Sequence, residues 1–251
     1  MADFDNRLAR GAVTATDVYD AGLRAHMLRV YNYMTGALAL TGAVAYGVAN
    51  TPALLNLFYH QVLTAQGGVG IAPTMLGYVV MFAPLALVFF LSFRIQQMSQ
   101  GTAQLTFWAY AAMVGASLAS IFLLYSLPSI SLTFFVTAAT FGSMSLYGYT
   151  TSRDLTGMGS FLMMGVFGLF IAMIANIFFQ SPAMNFVISV LGVAIFTGLT
   201  AWDTQKIKQV YYAVGGESVM AGKAAIMGAL ALYLDFLNIF LFLLRFMGNR
   251  R

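Results

Sequence analysis

The amino-acid sequence predicts an all-α membrane protein: a seven-transmembrane-helix bundle with the last helix at its centre. Three observations carry this. Hydrophobic residues make up 60% of the 251 residues and charged residues 8%, where a soluble domain carries about 25% charged residues. Apolar runs recur at the length of about 20 residues that crosses the hydrocarbon core as a helix, too long for the strands of a transmembrane barrel. One run, Leu230 to Arg245, is apolar enough for a bilayer yet holds Asp235 in its middle and Asn238 one turn on. An Asp at the centre of a membrane helix costs about 3 kcal/mol, so Asp235 must face protein or water. Gly228, Ala231, Asp235, Asn238, Phe242 and Arg245 recur at steps of 3 and 4, which gathers them into one stripe. A polar stripe on an otherwise apolar helix belongs inside a bundle, with the rest of the chain as the wall around it.

The elements follow in order. Residues 1–26 read as a polar, partly helical cytoplasmic tail, and 27–251 as the transmembrane domain. The tail's mixed charge does not resemble a cleaved signal peptide. A helix can begin at Thr16, with Thr16 as cap and Asp17 and Asp20 in its first turn. Val18, Ala21, Ala25 and Leu28 would then share a face and lie along the interface. The spans are expected at Met27–Ala49, Thr74–Phe93, Gln104–Ser126, Ser131–Thr150, Ser160–Phe179, Ala183–Asp203 and Ala224–Met247. Breaks fall at Asn50-Thr51-Pro52, Gly67-Gly68, Leu127-Pro128, Ser152-Arg153-Asp154, Ser181-Pro182 and Gly215-Gly216-Glu217. Between the first two spans, Leu54 to Leu63 is expected to lie flat as a short interfacial helix.

Orientation is read from Lys and Arg. With the N-terminus inside, Arg7, Arg10, Arg24, Arg29, Arg94, Arg153, Lys206, Lys208 and Lys223 fall on the inner side. Only Arg245, Arg250 and Arg251 fall outside if the last helix crosses fully, or inside if it re-enters. Small residues at Ala111, Gly115 and Ala119, and at Gly165 and Gly168, suit close approach of membrane helices. The chain has no cysteine, which excludes disulfides and thiolate chemistry. No basic run is dense enough for nucleic acid. The two histidines, His26 and His60, lie far apart in the chain, no nucleophile or metal motif is present, and no enzyme is expected. The last helix has no mid-membrane lysine for a Schiff base. No cofactor is implied, and the surroundings are the lipid bilayer.

Asp203 closes the sixth span one turn before Lys206. Asp235 lies 12 residues past Lys223, roughly 18 Å along a helix. Across adjacent antiparallel helices the two aspartates can meet. Two carboxylates sharing a site cannot easily both ionise, and such a pair titrates as one unit. It can sense protons, bind a cation, or both. Asn238 and backbone carbonyls can add oxygens to a transient site for a hard cation. Arg94 ends the second span on the same side, where it either pairs with Asp203 or reaches the interface as a positive-inside residue.

Two segments, Ala201-Trp-Asp-Thr-Gln-Lys-Ile207 and Ala229-Leu-Ala-Leu-Tyr-Leu-Asp-Phe-Leu-Asn-Ile-Phe-Leu-Phe-Leu-Leu-Arg245, together resemble the Bax inhibitor family, including its bacterial YccA-like branch. The resemblance runs from the first span to the last. It implies that Asp203 and Asp235 are the family's paired aspartates, a pH-sensitive latch on a calcium leak path. It implies Arg94 as the latch partner, matched by its place at a helix end, and Arg245 as the family arginine ten residues after the second aspartate. Some relatives carry an acid in the second span to pair with that arginine; Thr74–Phe93 has none. The expected function is a pH-sensitive cation leak with calcium as the transported ion, in a bacterial inner membrane with the N-terminus cytoplasmic. The alternative, also drawn from the bacterial branch, is a regulatory partner of a membrane-bound AAA protease that works through the polar tail.

Overall fold

The structure, a computed structural model, describes the backbone of residues 2–63, 69–215 and 219–249, and the side chains of 21–62, 72–215 and 219–249. It is built from helices α1 (Ala2–Asn50), α2 (Pro52–Phe58), α3 (Met75–Arg94), α4 (Gln100–Ser117), α5 (Ser120–Leu124), α6 (Leu127–Thr150), α7 (Thr156–Phe179), α8 (Pro182–Ala213) and α9 (Val219–Met247). A two-stranded antiparallel hairpin, β1 (Tyr59–Leu63) and β2 (Val69–Pro73), lies between α2 and α3. Among the described residues six stretches are long and apolar enough to cross a membrane: α3, α4 with α5, α6, α7, α8 and α9. The stretch Ala21–Asn50 of α1 with α2, bent by 98° to it, passes the same measure as a pair and brings the number to as many as seven.

The ends of these helices follow from local chemistry. Thr74, Ser99 and Ser181 each sit in extended conformation and accept a hydrogen bond from the backbone N–H three residues on, which satisfies one of the orphan donors of a helix start. Pro52, Pro128 and Pro182 occupy first-turn positions, where no N–H is needed. Gln180 closes α7 in the left-handed region, at φ 49°.

Helix α9 is the axis. Two-thirds of its most apolar window is buried, against 11–33% for the other spans. Its side chains Ile226, Leu232, Tyr233, Ile239 and Leu244 are almost fully enclosed, and α8, α1, α6 and α4 surround it. Most of the remaining apolar surface faces outward, with Phe93, Phe135, Ile177 and Phe178 more than two-thirds exposed. In a bilayer that surface is in contact with lipid. Helix α9 also crosses completely. Its start is joined to the end of α3 by Lys223 Nζ donating to Gln96 O at 3.0 Å. Its far end meets the α5–α6 connection through Ser126 N to Asn249 O at 3.3 Å and Asn249 N to Ser129 Oγ at 3.0 Å. Arg245 therefore lies at the opposite end from Lys223.

Several expectations are corrected. The helix does not start at Thr16, because α1 is continuous from Ala2. Among the described side chains Leu23, His26, Met27 and Val30 are buried at helical spacing, while Ala21, Ala25 and Leu28 on the expected interfacial face are exposed. Val18's side chain lies outside the described residues. The expected flat helix from Leu54 to Leu63 ends at Phe58, and Tyr59–Leu63 is a strand paired in register with Val69–Pro73. Tyr59, Val62, Val69 and Ile71 favour that pleated pairing. Tyr59 Oη donates to Ser117 O at 3.0 Å, which holds the hairpin against the end of α4. The third span breaks at Leu118–Ala119, between α4 and α5. The sixth span runs ten residues past Asp203, because Thr204, Gln205, Ile207 and Tyr211 keep a buried face while Lys206 and Gln209 stay exposed.

Candidate functional site

The stripe on α9 faces α8, and small residues set the distance. A Cβ at Gly228 would stand 2.9 Å from Ile207, and one at Gly192 would stand 2.5 Å from the Phe242 ring. Gly228 with Ile207 near one end and Phe242 with Gly192 near the other fix α8 and α9 as an antiparallel seam. Between these contacts Asp203 and Asp235 meet, their carboxyl groups within hydrogen-bonding reach of each other. Asp235 is only 3% exposed, and among the described residues its Oδ2 has no hydrogen-bond partner. Asp203 is half-buried. The cation that acts on it is Lys206, one turn further along α8, whose ammonium sits 4.8 Å from the Trp202 ring centre.

The remaining predicted residues stand apart from this pair. Asn238 donates to Leu234 O at 2.8 Å, so its amide is turned onto its own helix. Arg94 is exposed at the end of α3 and, among the described residues, forms no ion pair with Asp203. The reason is packing: α3 lies against α4 and α2 rather than along α8. Arg245 is exposed near the far end of α9, with its guanidinium carbon 5.9 Å from the Phe242 ring centre.

Other residues support the pair without having stood out in the sequence. Thr204, adjacent to Asp203, shares a hydrogen bond of 2.9 Å with Ser145 of α6, and Ser145 shares one of 2.6 Å with Tyr31 of α1. Thr204 also donates to Thr200 O at 2.7 Å. This hydroxyl chain ties three helices together beside the carboxyl pair. Below it, Gln205 accepts from Leu155 N at 2.9 Å and donates to Arg153 O at 2.7 Å, while Lys208 donates to Tyr149 O. The α6–α7 connection is thereby fastened to α8. The available signal was the spacing of Thr200 and Thr204, one turn apart, beside an acid in a membrane helix.

As a cation site the arrangement is sparse. Calcium takes about 6–8 oxygen ligands. Here the charged donors are two carboxyl groups, and among the described residues no cluster of three or more His, Cys, Asp or Glu side chains is present. Such a donor set fits passing contact with an ion rather than storage.

Comparison with known proteins adds the lineage. Residues 23–251 match the family described as "Inhibitor of apoptosis-promoting Bax1". The chain is 47% identical over 253 residues to an uncharacterized protein of Caulobacter vibrioides, with 100% of both chains covered. It is 46% identical over 253 residues to one of Rickettsia prowazekii, again covering 100% of each. The inner membrane protein YbhL of Escherichia coli is 43% identical over 232 residues, 92% of this chain and 94% of its own.

Proposed function

The chain belongs to the Bax inhibitor family, and on that premise we propose that this multi-pass membrane protein is a pH-sensitive cation leak, with calcium as the transported ion and the Asp203–Asp235 pair as its latch. By similarity to YbhL, we place it in a bacterial inner membrane. The observation that carries the reading is the meeting of two carboxyl groups from adjacent helices at the centre of the bundle, one of them almost wholly enclosed.

The chemistry follows from that contact. A hydrogen bond between two carboxyl groups requires a proton held between them. With that proton in place, the pair bridges α8 and α9 and carries one negative charge. Without it, two like charges face each other; at 4 Å and an effective dielectric of 20 their repulsion is about 4 kcal/mol. With a second proton, the charge that attracts a cation is gone. Each change in proton count alters the force across the seam, and helix packings that differ by little in free energy respond to such a force. The hydroxyl chain Tyr31–Ser145–Thr204 would carry the change from α8 to α1 and α6.

The test is calcium flux into liposomes containing only the purified protein, followed across pH. Wild type should pass calcium with a clear pH dependence. Asp203→Asn and Asp235→Asn should each flatten that dependence. The double variant should add little, because the pair acts as one unit. Full pH dependence in both single variants would end the latch proposal. Absence of calcium flux from the wild type at every pH would overturn the leak itself and turn attention to a regulatory partnership.

A further inference from the structure

At the end of the bundle away from Lys223, a cavity of about 900 Å³ opens between the end of α7, the start of α8 and the end of α9. Phe242, seated against Gly192 and stacked at 6.0 Å on Phe196, lies on the seam between this cavity and the carboxyl pair. The lining divides by chemistry. Arg245, Gln180, Asn185 and Ser189 supply the polar part, and Phe170, Ile174, Ile177 and Phe186 much of the apolar part. All four of the latter are exposed, between 43% and 69%, so the cavity is continuous with the surface that meets hydrocarbon.

The polar side has unused capacity. Arg245 is a permanent cation and, among the described residues, has no carboxylate partner; its neighbour is the face of Phe242. Asn176 donates to Asn185 Oδ1 at 2.8 Å and accepts from Ser181 N at 3.0 Å. That leaves the amide N–H groups of Asn185 as spare donors among the described residues. Gln180, held in the left-handed conformation at the turn, is exposed at the mouth. A planar guanidinium with amide donors nearby suits a phosphodiester. Binding clefts for compact ligands run to about 300–1,000 Å³, so the cavity has room for a headgroup and the upper part of a chain.

From the guanidinium at the rim, the amides beside it and the lipid-facing apolar wall, we propose that this cavity binds one anionic phospholipid. Its phosphodiester is held by Arg245 with the amides of Asn185 and Gln180. One acyl chain lies along Ile174, Ile177 and Phe186. A headgroup without a cation of its own is preferred, since an ammonium would compete with Arg245 for the phosphate. The lipid would brace α9 against the α7–α8 turn, on the side opposite the α5–α6 connection to which Asn249 is tied.

The test is native mass spectrometry of the full-length protein in detergent with added phosphatidylglycerol or phosphatidylethanolamine. Wild type should hold one phosphatidylglycerol in preference to phosphatidylethanolamine. Charge-assisted contacts of this kind are lost in Arg245→Gln, which should weaken phosphatidylglycerol retention about tenfold or more. Gln180→Glu, at an exposed position, places a carboxylate at the mouth and should weaken it in the same direction. Arg153→Gln, which removes an exposed cation from the opposite end, should leave it unchanged. Equal retention in Arg245→Gln and wild type overturns the site. So does an equal loss in Arg153→Gln, which would mark bulk charge attraction. Displacement of the lipid by inorganic phosphate at matched concentration would assign the site to a free anion and overturn the lipid.

Discussion

Asp154, in the short connection between α6 and α7, caps a helix whose formal cap position is taken by Leu155, a residue without a capping side chain. Its Oδ1 accepts from Thr156 N at 2.9 Å and from Thr156 Oγ1 at 2.6 Å, and these bonds hold its carboxyl below the ordinary aspartate value. The sign follows directly. A carboxyl whose acidity is strengthened by folding contributes to stability above its unfolded value and loses that contribution as pH falls through the lower folded one. Hydrogen exchange at Thr156 should therefore be slow at neutral pH and accelerate below about pH 4, relative to Leu162 deeper in α7, as the carboxylate protonates. Asp154→Ala should show the faster exchange at neutral pH already; matched protection in the two proteins would remove Asp154 from the cap. Legibility varies at this scale with how costly a residue's position is. Asp235 could be read from sequence because an acid in an apolar run has few tolerable surroundings. Arg94 could not be placed, since a cation at a helix end is equally comfortable in solvent, where the structure puts it. Asn238 lies on the predicted stripe, but an amide can satisfy itself on its own helix, and it does so at Leu234 O.

At the scale of elements, small residues decide how closely helices approach. The sequence pattern of Ala111, Gly115 and Ala119 marks a true contact at Gly115, where a Cβ would lie 2.6 Å from Thr41 O. Gly165 is near Ile195, but Gly168 faces open space. Helices α6 and α8 approach as closely at Gly148, where a Cβ would stand 2.2 Å from Ala201 O, a contact that the sequence pattern did not single out. Because the obstacle is backbone rather than a flexible side chain, Gly148→Ala must push α6 away from α8 and stretch the Ser145–Thr204 bond beside Asp203. Overpacking of this kind costs about 1–3 kcal/mol. Gly142→Ala, with nothing within 4 Å of the new methyl, should be neutral or slightly stabilising through helix propensity. Thermal unfolding in detergent separates the two; equal midpoints would mean that the α6–α8 contact yields without cost. The hairpin was hidden for a different reason. Helical periodicity is read within a window, whereas Tyr59–Leu63 becomes a strand through pairing with Val69–Pro73, outside that window.

For the whole molecule, charge and crossing number together set how the bundle sits in the bilayer. Arg94, Arg153, Lys206, Lys208 and Lys223 gather at the end where α3, α6 and α8 finish and α9 begins. At the other end Arg245 is the Lys or Arg among the described residues, because α9 crosses without a break. That settles how the last helix runs, which the sequence left open between crossing and re-entry, but not which end faces the cytoplasm. The positive-inside rule supplies the direction. On that rule we expect the N-terminus, the α3–α4 turn and the α8–α9 connection in the cytoplasm, and the α1–α2 turn with the hairpin outside. The chain contains no cysteine, so single cysteines report cleanly. Gln97 and Thr51 are exposed at opposite ends of the bundle. In intact bacterial cells, a membrane-impermeant maleimide should modify Thr51→Cys at once and Gln97→Cys only after lysis. The reverse pattern would invert the protein. It would also turn the half-buried side of the carboxyl pair, Asp203, toward the outside pH, so the same labelling decides which compartment the proposed latch reads.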